Sequence, residues 1–298
     1  MAAMDLILLG TGSPLPSGNR CGAGNLVTSG DSTILIDCGW GAARRLIASG
    51  VPLAKINTIF FTHMHSDHIT DLPDLIMMRW TVGGATQPLT IYGPEGTREA
   101  VEGFRAGLNP DVRYRFAHHG DKLSRDAIEV IVHETPATAA VSHVTTIGEI
   151  SIGAFEVDHR PVVPALGFRV EARGKSVVFS GDTKRCDSLV QASKGADMLV
   201  SEALHLGMME DRMKLARSVG NERAAMLLEE ACNYHAPTLD VAEMARDAGV
   251  PRLVLSHLLP PIPDDGPIVE SFVAGMSEIF PGSILVARDL QRLSVGDD

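Results

Sequence analysis

The sequence has few of the features that mark membrane-bound or nucleic-acid-coating proteins. It contains no apolar run long enough to span a bilayer; the early run at residues 6–9 is far too short, and no basic segment precedes it. Positive charge is scarce, with 26 Lys and Arg against 37 Asp and Glu, so that the formal net charge is -11. Such a chain tends to repel polyanions. We therefore expect a cytoplasmic protein that binds neither nucleic acid nor membrane.

Cysteine is also sparse. The sequence has 4 Cys, which are widely separated and form no CxxC pair. This spacing argues against a disulfide framework and against a thiolate zinc site. No low-complexity linker and no repeat of fixed period divides the chain, so we expect a single domain over residues 1–298.

Short apolar runs alternate with helical patterns along a chain that is 45% hydrophobic, which is typical of an α/β protein. The patterns predict strands at residues 6–10, 33–37, 58–61, 89–92, 128–133, 149–158, 167–171, 176–180, 198–201 and 253–256. They predict helices at residues 41–49, 222–233, 241–248 and 268–279. Two sheets covered by helices are the expected architecture.

The clearest chemical signal is the segment THMHSDH, which directly follows the predicted strand 58–61. Residues two apart in an extended chain point the same way, so His63 and His65 can bind one metal ion. Asp67 and His68 can then turn toward a second ion. Imidazole and carboxylate without thiolate suit zinc, and manganese or iron is chemically admissible. A polar surface loop that is merely rich in histidine is the less favoured interpretation.

This segment resembles the HxHxDH motif of the metallo-β-lactamase superfamily, and later segments resemble further motifs of its RNase Z and arylsulfatase-like branch. His159 lies in VDHRP, Asp182 in SGDT and His257 at the end of LVLSH. Each follows an apolar run, where α/β sheets commonly place ligands. The resemblance covers nearly the whole chain. It implies a four-layer αββα sandwich, an α/β fold with the metal site at the sheet edge.

The resemblance also implies how the ligands divide between two divalent ions, for which zinc is expected before manganese or iron. The first ion would be bound by His63, His65, His159 and Asp182. The second ion would be bound by Asp67, His68, His257 and the shared Asp182. A hydroxide that bridges the ions is then the expected nucleophile. Asp67 can orient it or accept its proton, so we assign this residue a catalytic role as well.

Two further residues receive roles outside the metal ligands. His235, in NYHAPT, resembles a family histidine outside the metal ligands, which implies that it acts as a general acid. A surface or helix-capping histidine is the alternative. Glu202 follows another predicted strand and either orients a histidine or lines the pocket. His143 lies close to His159 in sequence but lacks the motif that follows it, so His159 is preferred as the ligand.

The helix predicted after the metal motif contains Met77, Met78 and Trp80. These side chains either pack in the core or line an apolar pocket. The core is the favoured interpretation, because large apolar residues at helical spacing are more often buried.

The resemblance implies a dinuclear-metal hydrolase that cleaves a small ester-like substrate, such as an aryl sulfate, phosphodiester, carboxylic ester or lactone. The alternative is an RNase Z-type tRNA 3′-processing endonuclease. Against it, only 23 positions separate His159 from Asp182, which leaves no room for the long arm that such enzymes commonly insert there. A non-catalytic binding protein of the same fold is a third possibility, disfavoured by the complete ligand set. Membership of this branch also makes a homodimer possible.

Overall fold

Two sheets form the centre of the computed structural model, which describes residues 4–15 and 17–296. The strands of the first sheet are β1 (Met4–Gly10), β2 (Gly24–Ser29), β3 (Ser32–Ile36), β4 (Thr58–Phe60), β5 (Leu89–Gly93), β6 (Val130–Glu134) and β14 (Gln291–Val295). They are paired in the order β14-β1-β2-β3-β4-β5-β6. In this sheet β3, β4, β5 and β6 run parallel, while β14, β1, β2 and β3 pair antiparallel.

The second sheet is also mixed. Its strands are β7 (Ser142–Ile147), β8 (Ile150–Glu156), β9 (Leu166–Ala172), β10 (Lys175–Phe179), β11 (Met198–Leu204), β12 (Arg252–Leu259) and β13 (Ser283–Val286). They are paired in the order β13-β12-β11-β10-β9-β8-β7, and β10 to β13 run parallel.

Most of the helices cover the outer faces of the two sheets. The helices are α1 (Ala42–Ala48), α2 (Ser66–Ile69), α3 (Leu72–Thr81), α4 (Thr97–His119), α5 (Asp187–Ser193), α6 (Leu206–Ser218), α7 (Glu222–Ala231), α8 (Thr238–Ala248), α9 (Pro267–Phe272) and α10 (Met276–Ile279). Unlike the others, α6 and α7 pack mainly against each other. Short 3₁₀ turns occupy Leu53–Lys55 and Gly120–Lys122. No helix in the described residues is both long and apolar enough to cross a membrane.

The strands are apolar on both faces because each sheet is packed on two sides. In β1, Leu6 and Leu8 pack between the sheets, whereas Ile7 packs toward the helices of the first sheet. In β10, Val177 faces the other sheet and Val178 faces the helices. This alternation is the period of two that a strand imposes.

Three buried clusters define four layers. One contains side chains from both sheets and lies between them. A second joins the first sheet to α1, α3 and α4, and a third joins the second sheet to α5, α8, α9 and α10. The expected αββα sandwich is therefore confirmed. Because the central cluster is shared, we infer that the described residues fold as one domain.

The strands and helices predicted from the sequence are present, with bounds that differ by a few residues. The helix predicted over 268–279 is the main departure, since it forms two separate helices, α9 and α10. Gly275 between them has a φ of 82°, a left-handed conformation that ends one helix before the next begins. Strands β2, β7, β13 and β14 and helices α2, α4, α5 and α6 were not predicted.

Trp80 lies in the core rather than in a pocket. It is almost completely buried in the cluster between the first sheet and its helices. Its indole N–H donates to the carbonyl of Ser124 at 2.8 Å, and its ring centroid lies 5.1 Å from that of Phe116. Trp80 therefore joins α3 to α4 and the segment that follows it.

Replacement of this side chain should destabilise the fold. We expect Trp80→Ala to lower the free energy of unfolding by about 3–5 kcal/mol, because it leaves a cavity and removes the hydrogen bond to Ser124. Val82→Ala is the control, since Val82 lies just beyond the same helix and is 75% exposed; its effect should stay within about 0.5 kcal/mol. Urea denaturation measures both. A small loss for Trp80→Ala would contradict its placement in the core.

Candidate metal centre

The strand topology brings the polar motifs to one edge of the sandwich. The histidine-rich segment follows β4. Asp182 lies three residues after Phe179, the last residue of β10. Because both strands belong to parallel parts of their sheets, these segments leave at the carboxyl ends of the strands. The sheets are linked at this edge, where the amide of Leu166 donates to the carbonyl of Thr62 at 2.8 Å.

Gly181 permits the close approach that places Asp182. Its φ is 60°, and a Cβ at this position would lie 2.7 Å from the carbonyl oxygen of Leu166 and 3.0 Å from Cβ of Thr62. A side chain would therefore collide with the segment that joins the two sheets. The glycine of the SGDT motif is thus required by packing.

The first group of potential ligands comprises His63, His65, His159 and Asp182. One ligand atom from each lies within 4.8 Å of the others. The Oδ2 atom of Asp182 lies 3.7 Å from His63 Nε2 and 3.9 Å from His159 Nε2. Nδ1 of His65 lies 3.0 Å from His63 Nε2 and 3.3 Å from His159 Nε2. The structure therefore brings together the four residues assigned to the first ion.

The second group comprises Asp67, His68 and His257, and it borders the same aspartate. Nε2 of His257 lies 3.2 Å from Asp67 Oδ2 and 3.4 Å from Asp182 Oδ2. Nε2 of His68 lies 3.3 Å from Asp182 Oδ2. Asp182 Oδ2 is thus adjacent to both groups, in the position that a shared ligand requires.

A bulge directs His257 into this group. The sequence predicted that the strand ends at Ser256, but β12 continues to Leu259. Ser256 pairs with Glu202 and Leu258 pairs with Ala203, so His257 is an additional residue with a φ of 48°. Bulges of this kind redirect a side chain without ending the strand.

Hydrogen bonds from neighbouring residues orient several of the rings. His159 Nδ1 donates to the carbonyl of Tyr234 at 3.0 Å. Thr62 donates its hydroxyl hydrogen to Asp37 and accepts from His63 Nδ1 at 3.0 Å. In both histidines the Nε2 lone pair is left facing the ligand group. Converging lone pairs are favourable when a cation lies between them.

Asp37 is a site residue that the sequence analysis missed. Its carboxylate accepts from Nδ1 of His68 at 2.9 Å and from the amide of Thr62 at 2.9 Å. Asp37 directly follows β3 and has a φ of 62°, a conformation that Asp tolerates better than most residues. The sequence feature that could have identified Asp37 is a carboxylate at the end of a predicted strand, which is the feature that identified Asp182.

The donors present fit divalent metal ions. His68 Nε2 and Asp182 Oδ1 are buried and have no hydrogen-bond partner in the described part of the chain. Buried polar atoms rarely lack a partner, and here they lie among imidazoles and carboxylates. This set of nitrogen and oxygen ligands without sulfur is typical of zinc and also admits other divalent ions. The clusters and the fold indicate divalent metal binding.

The carboxylates and histidines also perturb each other electrostatically. Burial lowers the pKa of His63 well below its usual value, and the neighbouring His68 adds to this effect. Burial opposes the charge of His68 too, but Asp182 and Asp67 raise its pKa well above the usual value. Burial would raise the pKa of Asp182, yet His257 and His68 hold it well below its ordinary range. The carboxylate is therefore kept ionised.

His235 and Glu202 form a buried pair beside the ligand groups. Nδ1 of His235 lies 2.9 Å from Oε1 and 2.8 Å from Oε2 of Glu202, and Oε1 also accepts from the amide of Thr183 at 2.6 Å. Burial lowers the pKa of His235, whereas burial and the charge of Asp182 raise the pKa of Glu202 well above its usual value. His235 is 3% exposed, so the surface alternative is wrong. Glu202 agrees with the orienting role.

His143 lies apart from these residues. It is on β7, its side chain is exposed, and it belongs to none of the potential ligand groups among the described residues. The preference for His159 agrees with this placement.

Comparison with known proteins gives a family match over most of the chain. The model of the beta-lactamase superfamily domain matches residues 32–258. A ribonuclease Z from Mycobacterium bovis (strain BCG / Pasteur 1173P2) is 38% identical over 295 residues, which is 98% of each chain. A ribonuclease Z from Mycobacterium sp. (strain KMS) is also 38% identical, over 98% of this chain and 96% of the relative.

Solved structures share the fold at lower sequence identity. The metallo-beta-lactamase fold protein YhfI from Bacillus subtilis has a TM-score of 0.71 and is 21% identical, with 97% of this chain and 98% of that chain covered. Human tRNase Z, short form, has a TM-score of 0.66 and is 23% identical, with 98% and 100% covered. These similarities establish the architecture alone.

The hydrogen bond between Asp37 and His68 predicts an effect on metal affinity. Asp37→Asn keeps the shape and tolerates the same backbone, but it removes the carboxylate that orients the imidazole. We expect metal affinity to fall about 10–100-fold. Metal retained after dialysis against graded chelator, measured by atomic emission, tests this.

Asp31→Asn is the matched control, because Asp31 is exposed in the turn between β2 and β3. It should retain metal as the unaltered protein does. Circular dichroism establishes that both variants are folded. Equal retention by a folded Asp37→Asn variant would contradict the proposed role of Asp37.

Proposed function

The chain belongs to the metallo-β-lactamase superfamily, in its RNase Z and arylsulfatase-like branch, and we propose that it is a metal-dependent phosphodiesterase that cleaves RNA as RNase Z enzymes do. The reaction would be the endonucleolytic removal of a 3′ extension from precursor tRNA. The observation that carries the choice of RNA is the end-to-end similarity to proteins named ribonuclease Z, at 38% identity. The site geometry supports hydrolysis in general.

In this proposal the two ligand groups hold two divalent ions. His63, His65 and His159 serve one ion, Asp67, His68 and His257 serve the other, and Asp182 serves both. When bound, such ions lower the pKa of water and neutralise the charge that develops on a phosphate. Asp67 contributes a carboxylate whose Oδ2 lies 3.2 Å from Nε2 of His257, close enough for both atoms to serve the same ion.

We assign proton donation to His235. Its Nδ1 is engaged by Glu202, so Nε2 is the atom available to the substrate. Hydrolysis breaks the bond between phosphorus and the leaving oxygen and forms a bond from phosphorus to the oxygen of water. The attacking water passes a proton to the Asp67 carboxylate, the leaving oxygen takes a proton from Nε2 of His235, and Glu202 orients the imidazole through its contact with Nδ1. The family resemblance and this geometry favour the same assignment.

The proposal reverses the expectation that nucleic acid is not a partner. That expectation used the formal charge of -11, which counts side chains alone. Bound divalent ions would add positive charge at the site where the phosphate reacts, and local potential rather than net charge governs binding there. The small-ester substrates favoured by the sequence analysis, sulfates and lactones among them, have no comparable support from the relatives.

A small phosphodiester is the second candidate substrate. The observation that favours it is the short connection between His159 and Asp182, which consists of a loop, β9 and β10. It contains no protruding arm to grip a tRNA. The same chemistry would serve both substrates.

A substrate panel tests the proposal. We expect the purified protein to cleave a 3′-extended precursor tRNA and to lose this activity with chelator or with His63→Ala or Asp67→Ala, since each removes metal binding. His143→Ala, an exposed histidine outside the site, is the control and should retain activity. The panel also contains bis-p-nitrophenyl phosphate, p-nitrophenyl sulfate and p-nitrophenyl acetate. Turnover of bis-p-nitrophenyl phosphate without tRNA cleavage would select the second candidate.

Loss of the proton donor should separate catalysis from metal binding. We expect His235→Ala to reduce kcat about 10²–10⁴-fold while the protein keeps both metal ions. Steady-state kinetics and atomic emission on the same samples measure the two quantities. His119→Ala provides a control on an exposed helix. Loss of one ion from His235→Ala would instead identify His235 as a ligand, a role that its position beside Asp182 and His257 permits.

A further inference from the structure

A cavity of about 560 Å³ lies directly beside the candidate metal centre. His65 and His235 form part of its wall. Leu215 of α6 and Leu227 and Leu228 of α7 are among its other lining side chains. The volume is within the range of pockets that bind small organic groups, roughly 300–1,000 Å³.

The lining is mainly apolar. Leu215 and Leu227 are exposed and line the cavity together with other apolar side chains. Of the described residues that line the cavity, none is acidic and none carries a side-chain amide. Tyr234 and Arg212 supply polar groups besides the two histidines. Such a surface suits a flat aromatic ring and has little capacity to read the hydrogen-bonding edge of a base.

The position of the cavity identifies its occupant as part of the substrate. His65 belongs to the first ligand group, and His235 is the proton donor of the proposed reaction. A protein segment or a second copy of the chain seated here would cover the groups that must meet the phosphate. A group attached to the reacting phosphate would instead enter the cavity as the phosphate reaches the metal centre.

We propose that this cavity binds the nucleoside carried by the leaving oxygen and holds its base by apolar contact without regard to base identity. The inference rests on the proposed function, because His235 protonates the leaving oxygen and therefore faces the group attached to it. An aryl group on the leaving oxygen shares this chemistry.

Arg212 adds a charge that suits a polynucleotide. One nitrogen of its guanidinium donates to the carbonyl of Pro261 at 3.2 Å, which holds the group at the cavity. The side chain is exposed, so its other N–H groups face solvent and can contact the phosphate of the preceding nucleotide. The cavity thus combines an apolar surface with a cation at its border.

The test compares two alterations of the same contact. RNA substrates carry either a base or an abasic ribose at the nucleotide 5′ to the scissile phosphate, which bears the leaving oxygen. For the unaltered protein we expect KM to rise about 10-fold when the base is absent and to change little among the four bases. In Leu227→Gln the intact substrate should lose this advantage, so that both substrates bind equally.

Met226→Gln is the matched control. Met226 and Leu227 are adjacent on α7 and each is 50% exposed, but only Leu227 lines the cavity. Met226→Gln should keep the full difference between the two substrates. Thermal unfolding and metal content establish that each variant is intact. An abasic ribose on the 3′ side of the cut should have no such interaction with Leu227.

The outcomes separate this inference from the proposed function. RNA cleavage with equal KM for intact and abasic substrates in the unaltered protein would overturn the inference alone. If no RNA is cleaved, a higher KM of Leu227→Gln for bis-p-nitrophenyl phosphate, with Met226→Gln unchanged, would support an aromatic leaving-group site while the proposed function fails. A change from dimer to monomer in Leu227→Gln, measured by light scattering, would overturn the inference by identifying the wall as an interface.

Discussion

The arrangement of the site depends on one carboxylate. Asp182 Oδ2 lies within 3.4 Å of both His68 and His257 and within 3.9 Å of His63 and His159. A buried carboxylate in this position is kept ionised by the histidines around it, and in turn it needs a cationic environment to remain buried. The close contact of the sheets at Gly181 is part of this arrangement. It places the carboxylate of Asp182 between loops that leave different strands.

The two sheets contribute different residues to the site. The first sheet supplies the segment with three histidines and Asp67, which follows β4. The second sheet supplies Asp182, His257 and Glu202 from three neighbouring parallel strands. Neither sheet alone assembles either ligand group, because each group draws on both. The apolar layer between the sheets therefore holds together the two halves of each candidate ligand group.

The sequence predicted residues that follow apolar strands better than it predicted the contacts between them. His63, Asp182 and His257 follow recognisable runs, so strand periodicity and motif spacing were sufficient. Asp37 and Glu202 also follow such runs, but their roles depend on hydrogen bonds to His68 and His235. These partners are 31 and 33 positions away, and periodicity does not reveal such contacts. Helix α4 escaped prediction because it lies on the surface, where only Thr97 and Val101 are fully buried and its other apolar residues are partly exposed. Strand β2, with the sequence GNLVTS, lacks a continuous apolar run.

The proposed function departs from the expectation drawn from the acidic composition, and the departure has a physical reason. Net charge describes the field far from a protein, whereas a phosphodiester reacts within a few ångströms of specific groups. At the site the formal negative charges of Asp67 and Asp182 are those that attract divalent cations, so acidity there favours the binding of the ions that receive a phosphate. The apolar cavity beside His235 would add a substrate contact that does not depend on charge. Under the proposed function, these features would let an acidic chain bind a polyanionic substrate at one place while the rest of its surface repels it.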